Sequence, residues 1–236
     1  MSAKPPPFPP PPGAPGVCKL LKASGGWFQP DVWIVDTKES PRVWKTYTRR
    51  PAWERKTVGR FLAAHEGNVI KGLAGLEGTP QFLSHPQPWT VEMSLLKAKN
   101  VSGKRGATPL PPIYFARLWE MIAAMHARGI NHGDLRRKNL LRSSEDPTVP
   151  LAVDFTQSFH FPPPQGIFRA AIFRRAALID RLKFLKLKAA FLGEDALTPQ
   201  EQVESLARPW YLRFGQIMRR RIYRPIRRRV KGRRKA

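Results

Sequence analysis

A chain of 236 residues, 42% of them hydrophobic, is long enough to bury a sizeable core, as one large domain or as two lobes that share a cleft. Its 42 Lys and Arg against 17 Asp and Glu leave a formal net charge of +25, which points to a polyanionic neighbour: nucleic acid, acidic lipid, a phosphorylated glycan, or ATP with a charged substrate. A lone cysteine, Cys18, excludes an internal disulfide, the proline-rich start lacks the apolar core of a secretory signal, and no apolar run approaches a bilayer span, so the expected compartment is the cytoplasm.

Residues 5–15 are too rich in proline to fold alone and are expected to be a solvated polyproline-like tail, its boundary set at 1–16. From Val17 the pattern changes. Residues 32–35 and 42–47 are β-rich and flank a turn-rich linker, which predicts an antiparallel hairpin with Lys45 in its second strand. Residues 57–76 have helical periodicity, with Val58, Phe61, Leu62, Val69, Ile70, Leu73 and Leu76 largely on one side, although Gly59 and Gly67 interrupt it. Gly78-Thr79-Pro80 ends that helix, and 81–83 and 89–93 read as two more strands. Residues 97–112 form a polar, Gly- and Pro-bearing connection, the expected boundary between lobes. The clearest helix covers 113–128, with Ile113, Leu118, Ile122 and Met125 as its apolar stripe and Gly129 as its C′ residue. Past Phe159, a run of three prolines and Gly166 break the structure, and 167–192 is a long basic helical stretch containing Asp180. Thr198-Pro199-Gln200-Glu201 is a good helix start, and residues 211–236 carry twelve Lys or Arg and no acid.

The helix at 113–128 delivers the chain into Asn131-His132-Gly133-Asp134-Leu135-Arg136-Arg137-Lys138-Asn139, followed after two short apolar runs by Val153-Asp154-Phe155. An Asp, an Asn five residues later and an Asp closing an apolar strand have a shared chemical use. The first carboxylate can orient an attacking hydroxyl and accept its proton. The Asn carbonyl and the second Asp can hold Mg²⁺ against nucleotide phosphates, because hard cations take oxygen ligands. Residues 140–141 and 151–153 read as two strands that fix these ligands at a rigid edge. A polar loop between two strands of some other α/β protein is the competing reading.

Taken in order, these pieces resemble the protein-kinase-like superfamily, over residues 32–159. The resemblance implies an α+β, two-lobed fold: a small N-lobe (17–95) with an antiparallel sheet and one helix, and a mostly helical C-lobe (96–210). Val43-Trp44-Lys45 is similar to the strand that carries the phosphate-binding lysine. Glu66 is the candidate partner holding that lysine, with Glu54 as the alternative. Glu92-Met93 falls where the superfamily has its hinge beside the nucleotide. His132-Gly133-Asp134 with Asn139 resembles the catalytic loop, and Asp154-Phe155-Thr156 stands in the place of the metal-binding Asp-Phe-Gly. The implied cofactors are ATP and Mg²⁺, with Lys45 on phosphate oxygens, Asn139 and Asp154 on the metal, Asp134 on the acceptor hydroxyl and Arg136 on the transferring phosphate. His132 is expected to be a scaffold of the loop rather than a base.

Several traits differ from ordinary Ser/Thr protein kinases. No Gly-x-Gly-x-x-Gly precedes Lys45, and Gly25-Gly26 is isolated. Gly133 replaces the Arg that answers an activation-loop phosphate. About a dozen residues separate Asp154 from the next helical stretch, with no Ala-Pro-Glu-like segment, so the activation segment is minimal. These traits are similar to compact bacterial lipopolysaccharide (Kdo) kinases and to RIO-type kinases, with 49–80 most like the former. The expected function is therefore an ATP- and Mg²⁺-dependent kinase acting on a sugar hydroxyl of a membrane glycolipid such as the lipopolysaccharide inner core. A RIO-like protein kinase or ATPase and a non-catalytic pseudokinase are the alternatives. The basic end, where Ile217, Met218, Ile222, Tyr223 and Ile226 interleave with arginines, is expected to lie on an anionic membrane at its cytoplasmic face, and an RNA-binding arm competes with that reading.

Overall fold

Period-two patterning builds the first sheet. In the computed structural model, which describes residues 8–25, 28–101, 110–163 and 166–206, β1 (Val17–Lys22), β2 (Asp31–Asp36), β3 (Pro41–Thr46), β4 (Phe82–Gln87) and β5 (Thr90–Ser94) form one antiparallel sheet in the order β1-β2-β3-β5-β4. The expected hairpin is β2–β3, in register from Asp31 opposite Thr46 to Asp36 opposite Pro41. Alternation sends Trp33, Val35 and Trp44 to one face, where they pack together. Val32 pairs with Lys45 on the other. β1 is a strand the sequence pattern did not single out.

Residues 8–15 do not stand off in solvent as their composition predicts. Phe8 packs edge-on against Trp33, Pro11 is buried, and Pro12 accepts a hydrogen bond from Gln87. An aromatic in the proline tract gives it something to bury, and the tract then runs along the outer face of the sheet.

The helical run between β3 and β4 begins earlier than its periodicity indicates. A single turn, α1 (Ala52–Glu54), passes through a π-helical turn (Arg55–Gly59) into α2 (Arg60–Gly72), unbroken at Gly59 and Gly67. The extra residue in the π turn rotates the helix beyond it about its axis. Phe61, expected on the apolar side, is 68% exposed, whereas Val69, Ile70 and Leu73 are buried as expected and are joined by Ala63, Glu66 and Gly67.

Beyond the crossover at 95–97, β6 (Ala98–Asn100), β7 (Leu140–Ser143) and β8 (Pro150–Ala152) form a small antiparallel sheet below the first. α3 (Pro112–Ala127) packs behind it. Its buried stripe is Tyr114, Phe115, Leu118, Met121, Ile122 and Met125, while Ile113, expected on that stripe, is exposed. The helix ends in a Schellman motif: Gly129, at φ +71°, donates to His126 O at 2.9 Å and Ile130 donates to Met125 O at 3.0 Å. α4 (Ile167–Leu192) and α5 (Pro199–Leu206) complete the second lobe. Thr198 and Glu201 satisfy each other's amides as a capping box at the start of α5. One core runs from α2 and β5 through α3, β7, β8 and Phe155 to α4. Among the described residues no helix is long and apolar enough to cross a membrane. Residues 211–236, expected to meet a membrane or RNA, lie outside the described residues.

Candidate active site

Strand alternation in β3 turns Trp44 to the outer face and leaves Val43 and Lys45 over a cleft of about 660 Å³ between the two sheets. Lys45 is buried between two carboxylates, donating from Nζ to Glu66 Oε1 at 2.5 Å and to Asp154 Oδ1 at 3.1 Å. Burial alone would lower its pKa, but Glu66 and Asp154 outweigh it and hold the ammonium above its ordinary value. Lys45 in turn holds the Asp154 carboxyl well below the usual carboxylate range, against the burial that would raise it. The helical phase of α2 brings Glu66 here. The same carboxylate accepts the Phe155 amide at 3.2 Å and Thr156 Oγ1 at 3.1 Å. Glu54, the alternative partner, is also buried but accepts the Phe28 amide at 2.7 Å. Glu66 is the residue the structure brings to Lys45.

Asp154 stands at φ +73°, a conformation rare outside glycine and concentrated at functional sites, and its carboxylate lines the cleft. From below, Asn139 donates Nδ2 to Asp134 O at 2.9 Å and Asp134 Oδ2 at 3.0 Å. That orientation leaves Asn139 Oδ1 without a hydrogen bond among the described residues. Asp154 Oδ2 is in the same condition, since Lys45 and Thr156 both use Oδ1. Two hard oxygens, one charged, thus remain on cleft-lining residues, and this donor set fits Mg²⁺. Arg136 is salt-bridged to Asp134 Oδ2 rather than standing apart from it, and it lines the cleft together with Lys138.

The loop bearing Asp134 is held from behind. His132 stacks on Phe155 with centroids 5.0 Å apart, and burial keeps its imidazole below its ordinary pKa and so neutral. Gly133, at φ +74°, is required by space as well as by conformation: a Cβ there would stand 2.1 Å from Gln157 O. An Arg in this position would collide with the segment after Asp154. That segment is short and tied down, with Ser158 Oγ donating to His132 O at 3.0 Å and Phe159 N to Asn131 Oδ1 at 2.6 Å.

Of the two hinge residues expected from the sequence, Met93 lines the cleft. The Glu92 side chain does not. Opposite Trp44 in the sheet, it faces away and accepts from Trp44 Nε1 at 3.0 Å and Ser84 Oγ at 2.5 Å. Sequence reasoning missed two contributions. Asp180 of α4, fully buried, accepts the amides of His132 at 2.6 Å and Gly133 at 3.0 Å, while Lys183 one turn later donates to Gly133 O. An acidic residue on the buried side of a basic helix was the available signal. The other is the end of β1 and the described residues before β2, which place Lys22, Phe28, Gln29 and Pro30 along the cleft where no glycine-rich motif marks it.

No family model and no curated protein matches the sequence. Among solved structures, the chain is similar to the Rio2 kinase–ADP/Mg²⁺–phosphoaspartate complex from Chaetomium thermophilum, with 20% identity and a TM-score of 0.50 over 75% of this chain and 57% of that one. It is likewise similar to another structure of the Rio2 kinase from Chaetomium thermophilum, with 18% identity and a TM-score of 0.51 over 76% of this chain and 64% of that one. The chain spans less than two thirds of the length of either. The fold is α+β, two-lobed and protein-kinase-like.

Proposed function

We propose that the protein is an ATP- and Mg²⁺-dependent phosphotransferase. The observation that supports this best is the convergence of Lys45, held by Glu66, with Asp154, Asn139 and Asp134 on one cleft. Lys45 binds α/β-phosphate oxygens, and Val32, Val43, Met93 and Leu141 give the base apolar walls. Asn139 and Asp154 would hold Mg²⁺, which would supply charge neutralisation at the phosphates. Asp134 takes the proton of the acceptor hydroxyl as its oxygen bonds to the γ-phosphorus and the bond to the bridging oxygen of ADP breaks. Arg136, released from Asp134 by the acceptor, meets the transferred phosphate.

For the acceptor we propose a sugar hydroxyl on an anionic membrane glycolipid, of the kind found in the lipopolysaccharide inner core. Two observations favour it. The segment after Asp154 is about a dozen residues long, and among its described residues, tied down at Ser158 and Phe159, there is no platform for an extended peptide. The first turns of α4 expose Ile167 (83%), Phe168 (87%) and Ile172 beside the exposed Arg169, Arg174 and Arg175, a pairing suited to an anionic lipid surface. The lobes would then be 17–95 and 96–210, with the basic 211–236 adding to the attraction. A RIO-like protein kinase or ATPase, with the basic end on RNA, is the second reading, favoured by the fold likeness.

Labelled ATP offered in parallel with lipopolysaccharide vesicles, generic protein and no acceptor separates these readings. Label on the glycolipid is the expected result. Label on protein or release of phosphate alone supports the RIO-like reading, and no turnover in any arm overturns phosphotransfer. Mg-ATP binding itself is expected to raise the melting temperature, because a ligand at 100 times its Kd stabilises the folded state by about 2.7 kcal/mol. An unshifted melt at millimolar Mg-ATP would remove the nucleotide site.

A further inference from the structure

We infer that the N-terminal strap, anchored by Phe8, positions the described flanks of the connection between β1 and β2, residues 23–25 and 28–30, at the end of the cleft where Lys45 stands, in place of a glycine-rich sequence. The inference rests on the nucleotide reading above. Contacts along the outer face of the sheet trace the strap's path. Phe8 stands edge-on to Trp33, with centroids 5.6 Å apart and planes at 77°. The Arg49 guanidinium lies 3.2 Å above the Phe8 ring centroid, on the negative face of the ring. Beyond Phe8, the prolines at 9–12 wall a groove of about 170 Å³ with Asp31, Trp33, Thr46 and Thr48, and Gln87 donates to Pro12 O at 2.9 Å.

Arg49 is therefore confined on one side by the strap, and its fork is spent on a single carboxylate. Nε donates to Asp31 Oδ2 at 2.8 Å and Nη2 to Asp31 Oδ1 at 2.9 Å. Asp31 is buried, and its Oδ1 also accepts the Ser24 amide at 2.7 Å. Arg50 adds a bond to Ser24 Oγ. Ser24 belongs to the loop, whose other end is held where the Phe28 amide meets Glu54. Strap, Arg49, Asp31 and Ser24 form one chain of contacts, each with a fixed geometry.

Sheet register says which part of the cleft this chain controls. Asp31 is opposite Thr46 and Val32 is opposite Lys45, so the loop enters β2 level with the lysine that takes phosphate. A glycine-rich loop covers phosphates with its own backbone amides. The loop here, with Gly25-Gly26 as its only adjacent glycines, needs its position set from outside. Phe8 and Arg49 act as positioning residues, since neither lines the cleft.

The test compares the full-length parent with Phe8→Ala, Phe8→Trp and Arg49→Lys. Two quantities are measured: affinity for Mg-ATP and for adenosine by calorimetry, and exchange of the Ser24 amide in nucleotide-free protein. Phe8→Ala is expected to weaken Mg-ATP about five- to tenfold, leave adenosine unchanged and speed Ser24 exchange. Phe8→Trp restores both, and Arg49→Lys reproduces the loss while the Phe8–Trp33 contact stays in place. Equal weakening of both ligands means that the strap merely holds the lobe together and overturns the inference, as does unchanged Ser24 exchange. A parent that binds neither ligand overturns the nucleotide reading instead, and the Ser24 comparison still decides whether strap and loop are coupled.

Discussion

Asp134→Asn is expected to bind Mg-ATP as the parent does and to lose turnover by about a thousandfold, within the range that a general base contributes. The reason is where the carboxylate sits. Asn139 reaches both the Asp134 backbone oxygen and its carboxylate, so an amide at position 134 keeps the backbone bond and the loop keeps its course. What the amide cannot do is accept a proton from the acceptor hydroxyl. In free-energy terms the loss is about 4 kcal/mol of transition-state stabilisation, with ground-state binding unchanged.

Asp154→Asn should behave differently. It removes the charge beside Lys45 and one of the two oxygen ligands offered to Mg²⁺, so Mg-ATP affinity and turnover fall together. Lys45 keeps Glu66 and stays paired, which is why the nucleotide-free variant should still fold. The comparison is made by calorimetric titration of Mg-ATP beside initial rates with labelled ATP. Parental turnover in Asp134→Asn would show that this loop is not the catalytic one. Parental Mg-ATP affinity in Asp154→Asn would move the metal elsewhere.

What the sequence made legible was short in range. Asp134, Asn139 and Asp154 announce themselves because the spacing within one loop, and the strand after it, are enough to bring them together. Lys45 was singled out by the likeness of its strand to the lysine-bearing strand of the superfamily, and alternation then turns it to the cleft. The same alternation, carried one strand further, would have excluded the Glu92 side chain, since it lies opposite Trp44 on the outer face. Glu66 against Glu54 was not decidable from periodicity. Both are buried, and the π-helical turn between them shifts the phase that a count along the sequence assumes. The strap was hidden by composition: prolines read as solvated, and one Phe with a stacked Arg pins the tract to the sheet although Pro9, Pro10, Pro12 and Pro15 stay exposed. Asp180 was hidden by distance, 48 positions beyond the His132 amide that it accepts. The basic charge around it dominates the pattern of α4, and its role is set by a buried face that the polar-looking sequence conceals.

That last residue carries the largest expected effect on stability. Asp180 is fully buried, and its two oxygens take the His132 and Gly133 amides at 2.6 and 3.0 Å, with His126 Nε2 3.3 Å from Oδ2. Asp180→Ala leaves the buried His132 amide and the part-buried Gly133 amide without their acceptor and removes one of the two carboxylates near Lys183, Asp134 being the other. Each orphaned amide costs about 1–3 kcal/mol. With the lost charge–charge attraction the variant should lose roughly 3–5 kcal/mol, a large share of the 5–15 kcal/mol typical of a folded domain. Asp180→Asn keeps the volume and one acceptor but turns a donor toward the second amide, so its loss should be smaller, about 2–3 kcal/mol. Asp195→Ala makes the same charge change at an exposed position and serves as the control. Urea unfolding would read the series as falling midpoints at constant slope. Turnover should fall in Asp180→Asn beyond the fraction unfolded, because Gly133 and Asp134 are neighbours and a loop freed from α4 no longer fixes the Asp134 carboxylate. An Asp180→Ala midpoint matching that of Asp195→Ala would show that the loop bearing Asp134 is held by its own bonds to Phe159 and Ser158, with α4 contributing nothing.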